Sequence, residues 1–330
     1  MVWLKLILCC AIILIAGTKL ARYGDAISER TGLGGMWIGL VLIALVTSMP
    51  EMVTGISSAA IVGKPDMALG NFWGSCTFNL TILAILDIMN RKAPALSLAN
   101  SRNILPAVMG IILISFAGLT ILIGDPVTKL SIGWLAITSI VIFGSYLFGI
   151  RQMFIYDQKH PEPKVEESDK YSHLSSIRIY GTFALAALAI IGGGIWLSLI
   201  GDEISVTYNL SANFVGSLFL AIGTSLPELV VAITALRMGS IDLAVGDILG
   251  ANMLNTANIF ITDLFYTPGP LLAEVSLRNL FTAGTMVVMT LLVIAGLKLK
   301  MKRKTFGFIS WNTLLIIILY LSISFVLFYY

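Results

Sequence analysis

Thr47-Ser48-Met49-Pro50-Glu51 and Thr224-Ser225-Leu226-Pro227-Glu228 each place hydroxyls, a proline and a carboxylate inside an apolar run. An ionised carboxylate in hydrocarbon costs at least roughly 2.5–3.5 kcal/mol, so such a residue points to function. The proline removes one helical hydrogen bond and disturbs the turn before it. The freed carbonyls are tolerated at membrane depth only where protein or a hydrated cavity takes them up. Hydroxyls, carbonyls and one carboxylate make a hard-oxygen set, which suits small cations such as Ca2+ or Na+. A proline kink with a glutamate reaching for the interface is the plainer reading of one copy. It does not explain two copies in matching places.

A second polar stripe follows each patch. Asn71, Ser75 and Asn79 recur at four-residue spacing and so share one helix face, as do Asp247, Ala251 and Asn255. Gly70, Gly74, Gly246 and Gly250 lie beside them and suit close helix approach. The asparagines serve interhelical hydrogen bonding or ion contact equally well. Asp247 has no acidic counterpart, since Asn71 stands in its place. It is expected between the cytoplasmic mouth and the central cluster, about 12 Å from Asn255 by helix rise. There it either attracts cations or steadies its helix end.

The elements that position these residues are membrane helices. Hydrophobic residues are 57% of the chain and charged ones 12%, against roughly 25% charge in soluble domains. The pattern predicts an all-α polytopic membrane protein with spans at 2–21, 33–62, 67–90, 103–124, 130–150, 177–200, 210–236, 241–265, 277–297 and 306–329. The spans at 33–62 and 210–236 carry the Pro-Glu patches and are expected to be broken. Three scattered cysteines (Cys9, Cys10 and Cys76) imply no disulfide framework. The first apolar run is read as a helix and not a cleaved leader, because the repeat described next needs it.

Residues 1–150 and 177–330 read as two five-helix halves joined by a charged linker, 151–176. An offset of 177 places Gly24, Asp25, Gly39, Ala44, Thr47, Pro50 and Glu51 on Gly201, Asp202, Gly216, Ala221, Thr224, Pro227 and Glu228. An offset of 176 then aligns Asp66 with Asp242, Asn79 with Asn255, Asp87 with Asp263 and Asn103 with Asn279. Five spans is an odd number, so the second copy enters from the opposite face as an inverted repeat. Of 21 Lys and Arg residues, all but Lys5, Lys64, Lys129 and Arg278 fall on the linker's side. The linker is therefore expected in the cytoplasm and both termini outside the cell membrane.

The paired Thr-Ser-(Met/Leu)-Pro-Glu, each followed by Gly-(Asn/Asp)-x-x-Gly-(Ser/Ala)-x-x-x-Asn, resembles the signature repeats of the sodium/calcium exchanger family, within the cation/calcium exchanger superfamily. The resemblance covers nearly the whole chain and implies a ten-helix antiporter moving Ca2+ against Na+ by alternating access, with no organic cofactor. By that resemblance Glu51 and Glu228 are the principal Ca2+ ligands and share in Na+ binding. Thr47 and Thr224 would add carbonyls to the Ca2+ shell, and Ala44 and Ala221 carbonyls to flanking Na+ sites. Ser48, Ser225 and Ser75 match hydroxyl positions, and Asn79 the asparagine of the first repeat. Val46, Ala251 and Asn255 depart from the usual Gly, Ser and Asp. Asn255 implies K+ independence and leaves two carboxylates in the cluster, a charge that balances one Ca2+ or two Na+.

A proton/calcium antiporter of the same superfamily is the nearest alternative, with Glu51 and Glu228 taking protons in place of Na+. An intramembrane metalloenzyme would want His or Cys ligands, yet His160 and His173 belong to or flank the linker. No nucleotide motif supports an ATP-driven pump, and nothing suggests nucleic-acid binding or an obligatory protein partner. A passive channel differs only in the counter-ion dependence of its flux.

Overall fold

The computed structural model describes residues 1–31, 44–90, 93–159, 174–301 and 303–329. Most of the linker, with His160 and His173, and the stretch 32–43 that opens the first broken span lie outside them. The described helices are α1 (Val2–Thr31), α2 (Met49–Ile56), α3 (Pro65–Met89), α4 (Ile104–Ile123), α5 (Ile137–Lys159) and α6 (Ser176–Tyr208). They continue with α7 (Ala212–Thr224), α8 (Leu226–Arg237), α9 (Ile241–Phe265), α10 (Asn279–Leu299) and α11 (Trp311–Tyr329).

Among the described residues, seven helices are long and apolar enough to cross a membrane, and the bent pair α7–α8 makes an eighth candidate. α9 matches α3 in length at 25 residues, but Asp242, Asp247, Asp263, Asn252, Asn255 and Asn258 dilute its apolar character. The chain is a multi-pass membrane protein. Large side chains such as Ile7, Ile12, Ile15, Leu321, Phe325 and Phe328 point outward from α1 and α11, as lipid-facing surfaces require.

Some boundaries differ from expectation. α1 and α6 run well past their apolar cores, because their polar ends still favour helix and find partners. Lys5 reaches Glu203 at 2.7 Å and Lys64 reaches Asp202 at 2.6 Å, tying the end of α6 to two other segments. The span expected from 130 begins only at Ile137. Its first residues form an antiparallel pair, Ser131–Ile132 with Leu135–Ala136, turned through Gly133 at φ +66°. α5 continues to Lys159, so the start of the charged linker is helical.

α3 and α9 form the centre. The apolar window of α3 is 78% buried, against 29% for that of α1. One apolar core joins α3, α4, α9 and α10, and a second joins α1, α6 and α7. Close approach is set by small residues: a Cβ on Gly74 would lie 2.5 Å from the Ser217 backbone, so only glycine lets α3 meet α7 there. A Cβ on Gly216 would run into the Met67 carbonyl from the opposite side of the same contact.

Four aspartates tie distant loops to the centre. Asp66 accepts from Ser276 N and Asn279 Nδ2, both at 2.7 Å. Asp242 accepts from the Asn100 amide and from Asn103 Nδ2, the positions equivalent under the repeat. Asp87 accepts from Ala95 N at 2.8 Å, Ser310 N at 3.2 Å and Thr313 Oγ1 at 2.9 Å. Asp263 does the same with Leu271 N, Ala136 N and Ser139 Oγ, at 2.7, 2.8 and 2.5 Å. Asp87 on α3 therefore holds the start of α11, and Asp263 on α9 holds the start of α5.

Candidate cation-binding site

Both Pro-Glu patches interrupt a helix at the serine. Residues 44–47 are helical, Ser48 turns out of the helix (φ −82°, ψ 5°), and α2 restarts with Pro50 in its first turn. Ser225 repeats this geometry (φ −86°, ψ 10°) between α7 and α8, which bend by 46°. Proline suits the first turn of a helix, where its missing N–H goes unmissed. It therefore defines the restart and places the following glutamate in the first turn, beside the positive end of the helix dipole.

The two glutamates meet across the halves. Ser225 Oγ donates to Glu51 Oε1 at 2.8 Å, and Ser48 Oγ donates to Glu228 Oε1 at 3.4 Å. Ser75 Oγ lies 3.5 Å from Glu51 Oε1, 3.4 Å from Ala221 O and 3.4 Å from Thr224 Oγ1. Thr224 Oγ1 also reaches Asn71 Oδ1 at 3.3 Å, and Asn71 Nδ2 donates to Glu51 O at 3.0 Å. Thr47 Oγ1 donates back to Ala44 O at 3.3 Å, as Thr224 does to Ala221 O. Thr47, Ser48, Glu51, Ser75, Thr224, Ser225 and Glu228 are all essentially excluded from solvent, and the structure gathers them into one cluster.

Asn79 and Asn255 are fully buried one step further along α3 and α9. Asn79 Nδ2 donates to Asn252 Oδ1 at 3.1 Å, while its own oxygen has no partner. Both polar atoms of Asn255 lack a hydrogen-bond partner. Asn252 is a site neighbour that the motif reading passed over. It falls off the four-residue stripe, and only its three-residue spacing to Asn255 hints at it. Asp247, expected between the cytoplasmic mouth and the central cluster, is 0% exposed.

The electrostatics single out the same place. Glu51 and Glu228 are 0% exposed, each leaves Oε2 without a hydrogen-bond partner, and no Lys or Arg pairs with either among the described residues. Uncompensated buried charge is destabilising by several kcal/mol, roughly, unless an ion or proton balances it. Among the described residues no three His, Cys, Asp or Glu side chains converge closely enough to hold a metal by themselves. The cluster offers a cation two carboxylates together with hydroxyls, amides and carbonyls. That composition fits Ca2+ and Na+, which accept mixed oxygen shells, and disfavours transition metals.

Known proteins place this arrangement. The family described as sodium/calcium exchanger protein matches residues 1–151 and 178–329, and the chain belongs to that family. Its sequence is 25% identical over 264 residues to the putative antiporter CaxA of Alkalimonas amylolytica, covering 78% of each chain. The fold resembles an H+/Ca2+ exchanger CAX (TM-score 0.71, 14% identity, 99% of this chain and 86% of that one). It also resembles the sodium-calcium exchanger NCX_Mj (TM-score 0.60, 20% identity, 98% of each chain).

Proposed function

We propose that the protein is a secondary-active antiporter that exchanges Ca2+ for Na+ by alternating access, without a requirement for K+. It is a transporter of the cation/Ca2+ exchanger superfamily and not an enzyme. The observation that carries the reading is the crossed pair of contacts from Ser225 to Glu51 and from Ser48 to Glu228. Each carboxylate is completed by the other half of the chain. A rocking of one half against the other would therefore open the cluster to one side or the other while both ligands stay near the middle.

In this reading the chain has ten transmembrane helices in two inverted five-helix repeats, 1–150 and 177–330, with the linker 151–176 in the cytoplasm and both termini outside. The reciprocal Asp66–Asn279 and Asp242–Asn103 contacts support the repeat. Glu51 and Glu228 bind Ca2+ or Na+ in alternation. Thr47, Thr224, Ala44 and Ala221 supply carbonyls, Ser48, Ser225 and Ser75 hydroxyls, and Asn79 and Asn255 amide oxygens. Because the same fixed charges serve both ions, Na+ and Ca2+ compete, and that competition couples their gradients.

Proton coupling is the second reading, and the higher TM-score to the H+/Ca2+ exchanger favours it. The Thr-Ser-x-Pro-Glu patches favour Na+. Uptake of radioactive Ca2+ into vesicles of reconstituted protein separates the two. An outward Na+ gradient at fixed pH should drive uptake, whereas uptake driven only by a pH gradient would establish the proton antiporter.

A further inference from the structure

Among the described residues, Asp247 is a buried carboxylate that neither the proposed exchange nor the aspartate clamps use. It is 0% exposed, and neither Oδ1 nor Oδ2 has a hydrogen-bond partner. Its counterpart Asn71 shows what a neutral residue does at this position: its amide donates to Glu51 O and its oxygen accepts from Thr224 Oγ1. An ionised Asp247 has no donor to offer a carbonyl, and a protonated one would need an acceptor that the protein does not present. Among the described residues no protein group satisfies either form, which points to a partner from outside the chain.

The charge of Asp247 is felt at the site. It acts on Glu228, and Glu51 acts on it in turn, with α9 packed against α2. Yet Asp247 does not join the two glutamates in a tight three-acid chelate. An ion that balanced it would therefore be separate from one shared by the glutamates. One carboxylate balances one monovalent charge, whereas Ca2+ asks for several charged and neutral oxygens at once.

We infer that Asp247 anchors an additional Na+ beside the Glu51–Glu228 pair, a position created in this chain by an acid two turns before Asn255. The inference rests on the proposed Na+/Ca2+ exchange. It raises the fixed charge of the centre to three carboxylates, enough to hold three monovalent ions in neutral balance.

The test is equilibrium binding of radioactive Ca2+ to purified full-length protein in detergent, at fixed pH without K+, with displacement by Na+. A residue acting only through its field weakens a divalent ion at least as much as a monovalent one, since the energy scales with ion charge. A direct Na+ ligand does the reverse. Asp247→Asn should shift the Na+ displacement curve about tenfold or more and make it less steep, with a smaller loss of Ca2+ affinity. Asp247→Glu should recover part of the Na+ affinity. Asp247→Ser is a second neutral variant should Asp247→Asn fail to fold.

Unchanged Na+ displacement in the neutral variant overturns the inference and leaves the exchange reading intact, provided that the wild type is displaced by Na+. An equal or larger loss of Ca2+ affinity also overturns it and makes Asp247 a field-setting residue. Wild-type Ca2+ that Na+ cannot displace overturns both this inference and Na+ coupling.

Discussion

Cys76 and Asn252 stand 176 residues apart and touch: Asn252 Nδ2 donates to Cys76 O at 3.2 Å, and Cys76 Sγ donates to Asn252 O at 3.6 Å. Under the offset that aligns α3 with α9 they are the same position. In the proposed inverted repeat, such a contact between equivalent residues would lie where the two copies cross on their shared axis. Asn79 Nδ2 then joins Asn252 Oδ1, linking the crossing to the polar stripe of the site. The place where the halves cross and the place where ions are proposed to bind are neighbours.

Glu51→Gln and Glu228→Gln should each abolish Ca2+ exchange while the protein remains folded and monodisperse by gel filtration. The two buried carboxylates have no cationic side chain to neutralise, so removing one charge removes an ion ligand and not a structural pair. Wild-type uptake by either variant in reconstituted vesicles would refute the site.

The serines are not equal. Ser225 lies 2.8 Å from Glu51 Oε1, whereas Ser48 lies 3.4 Å from Glu228 Oε1, near the limit of a hydrogen bond. A hydrogen bond to a charged group contributes about 1.5–3 kcal/mol. Ser225→Ala should therefore change apparent Ca2+ affinity about tenfold, and Ser48→Ala less. Titrating Ca2+ uptake for the two variants checks the order, and equal effects would contradict it.

Asn255→Asp should make Ca2+ transport depend on K+. The residue is buried with neither amide atom bonded to protein, so an aspartate there would add a charge that needs a cation. Na+-driven Ca2+ uptake with and without K+ measures it. The parent should show no K+ effect, and a K+-insensitive variant would place Asn255 off the ion path.

Asp263→Asn should destabilise the fold and spare ion binding. Its carboxylate accepts from Leu271 N, Ala136 N and Ser139 Oγ, so an amide would turn a donor toward donors. The expected loss is about 2 kcal/mol or more, read as a lower thermal midpoint at unchanged Ca2+ affinity. Lost Ca2+ binding at an unchanged midpoint would reverse that assignment.

Seven of the expected spans, or eight with the bent pair, are long and apolar enough to cross a membrane among the described residues, and they were legible because lipid imposes long apolar runs. The two breaks were legible because proline and glutamate have few reasons to sit in such runs. Helix ends were less so: α1 and α6 extend through polar residues that composition alone reads as loop. The hairpin at Ser131–Ala136 was hidden by apolar Leu130 and Ile132, which read as the start of a span. The clamps made by Asp66, Asp87, Asp242 and Asp263 were visible only as aligned letters. Their partners lie up to 226 residues away, where no local pattern reports them. The complete burial of Asp247 was not legible from its position near the start of α9, since distance along a helix says nothing about what covers it.

Asp87 has a history in time as well as a place. Ala95 N reaches it as soon as α3 and the following loop exist, but Ser310 N and Thr313 Oγ1 are synthesised 223 and 226 residues later. Until that later segment is made, one oxygen of Asp87 lacks its Ser310 and Thr313 donors, and Ala136 and Ser139 lack Asp263. The first half thus leaves the insertion machinery marked as unfinished, with acceptors and donors that only the second half can fill. Because those groups are distributed side chains and amides outside 151–176, this part of the recognition is written into the segments flanking the helices. Two separate polypeptides carrying the same groups would hold the same information, which is the condition under which a single chain and a pair of independently inserted halves are interchangeable.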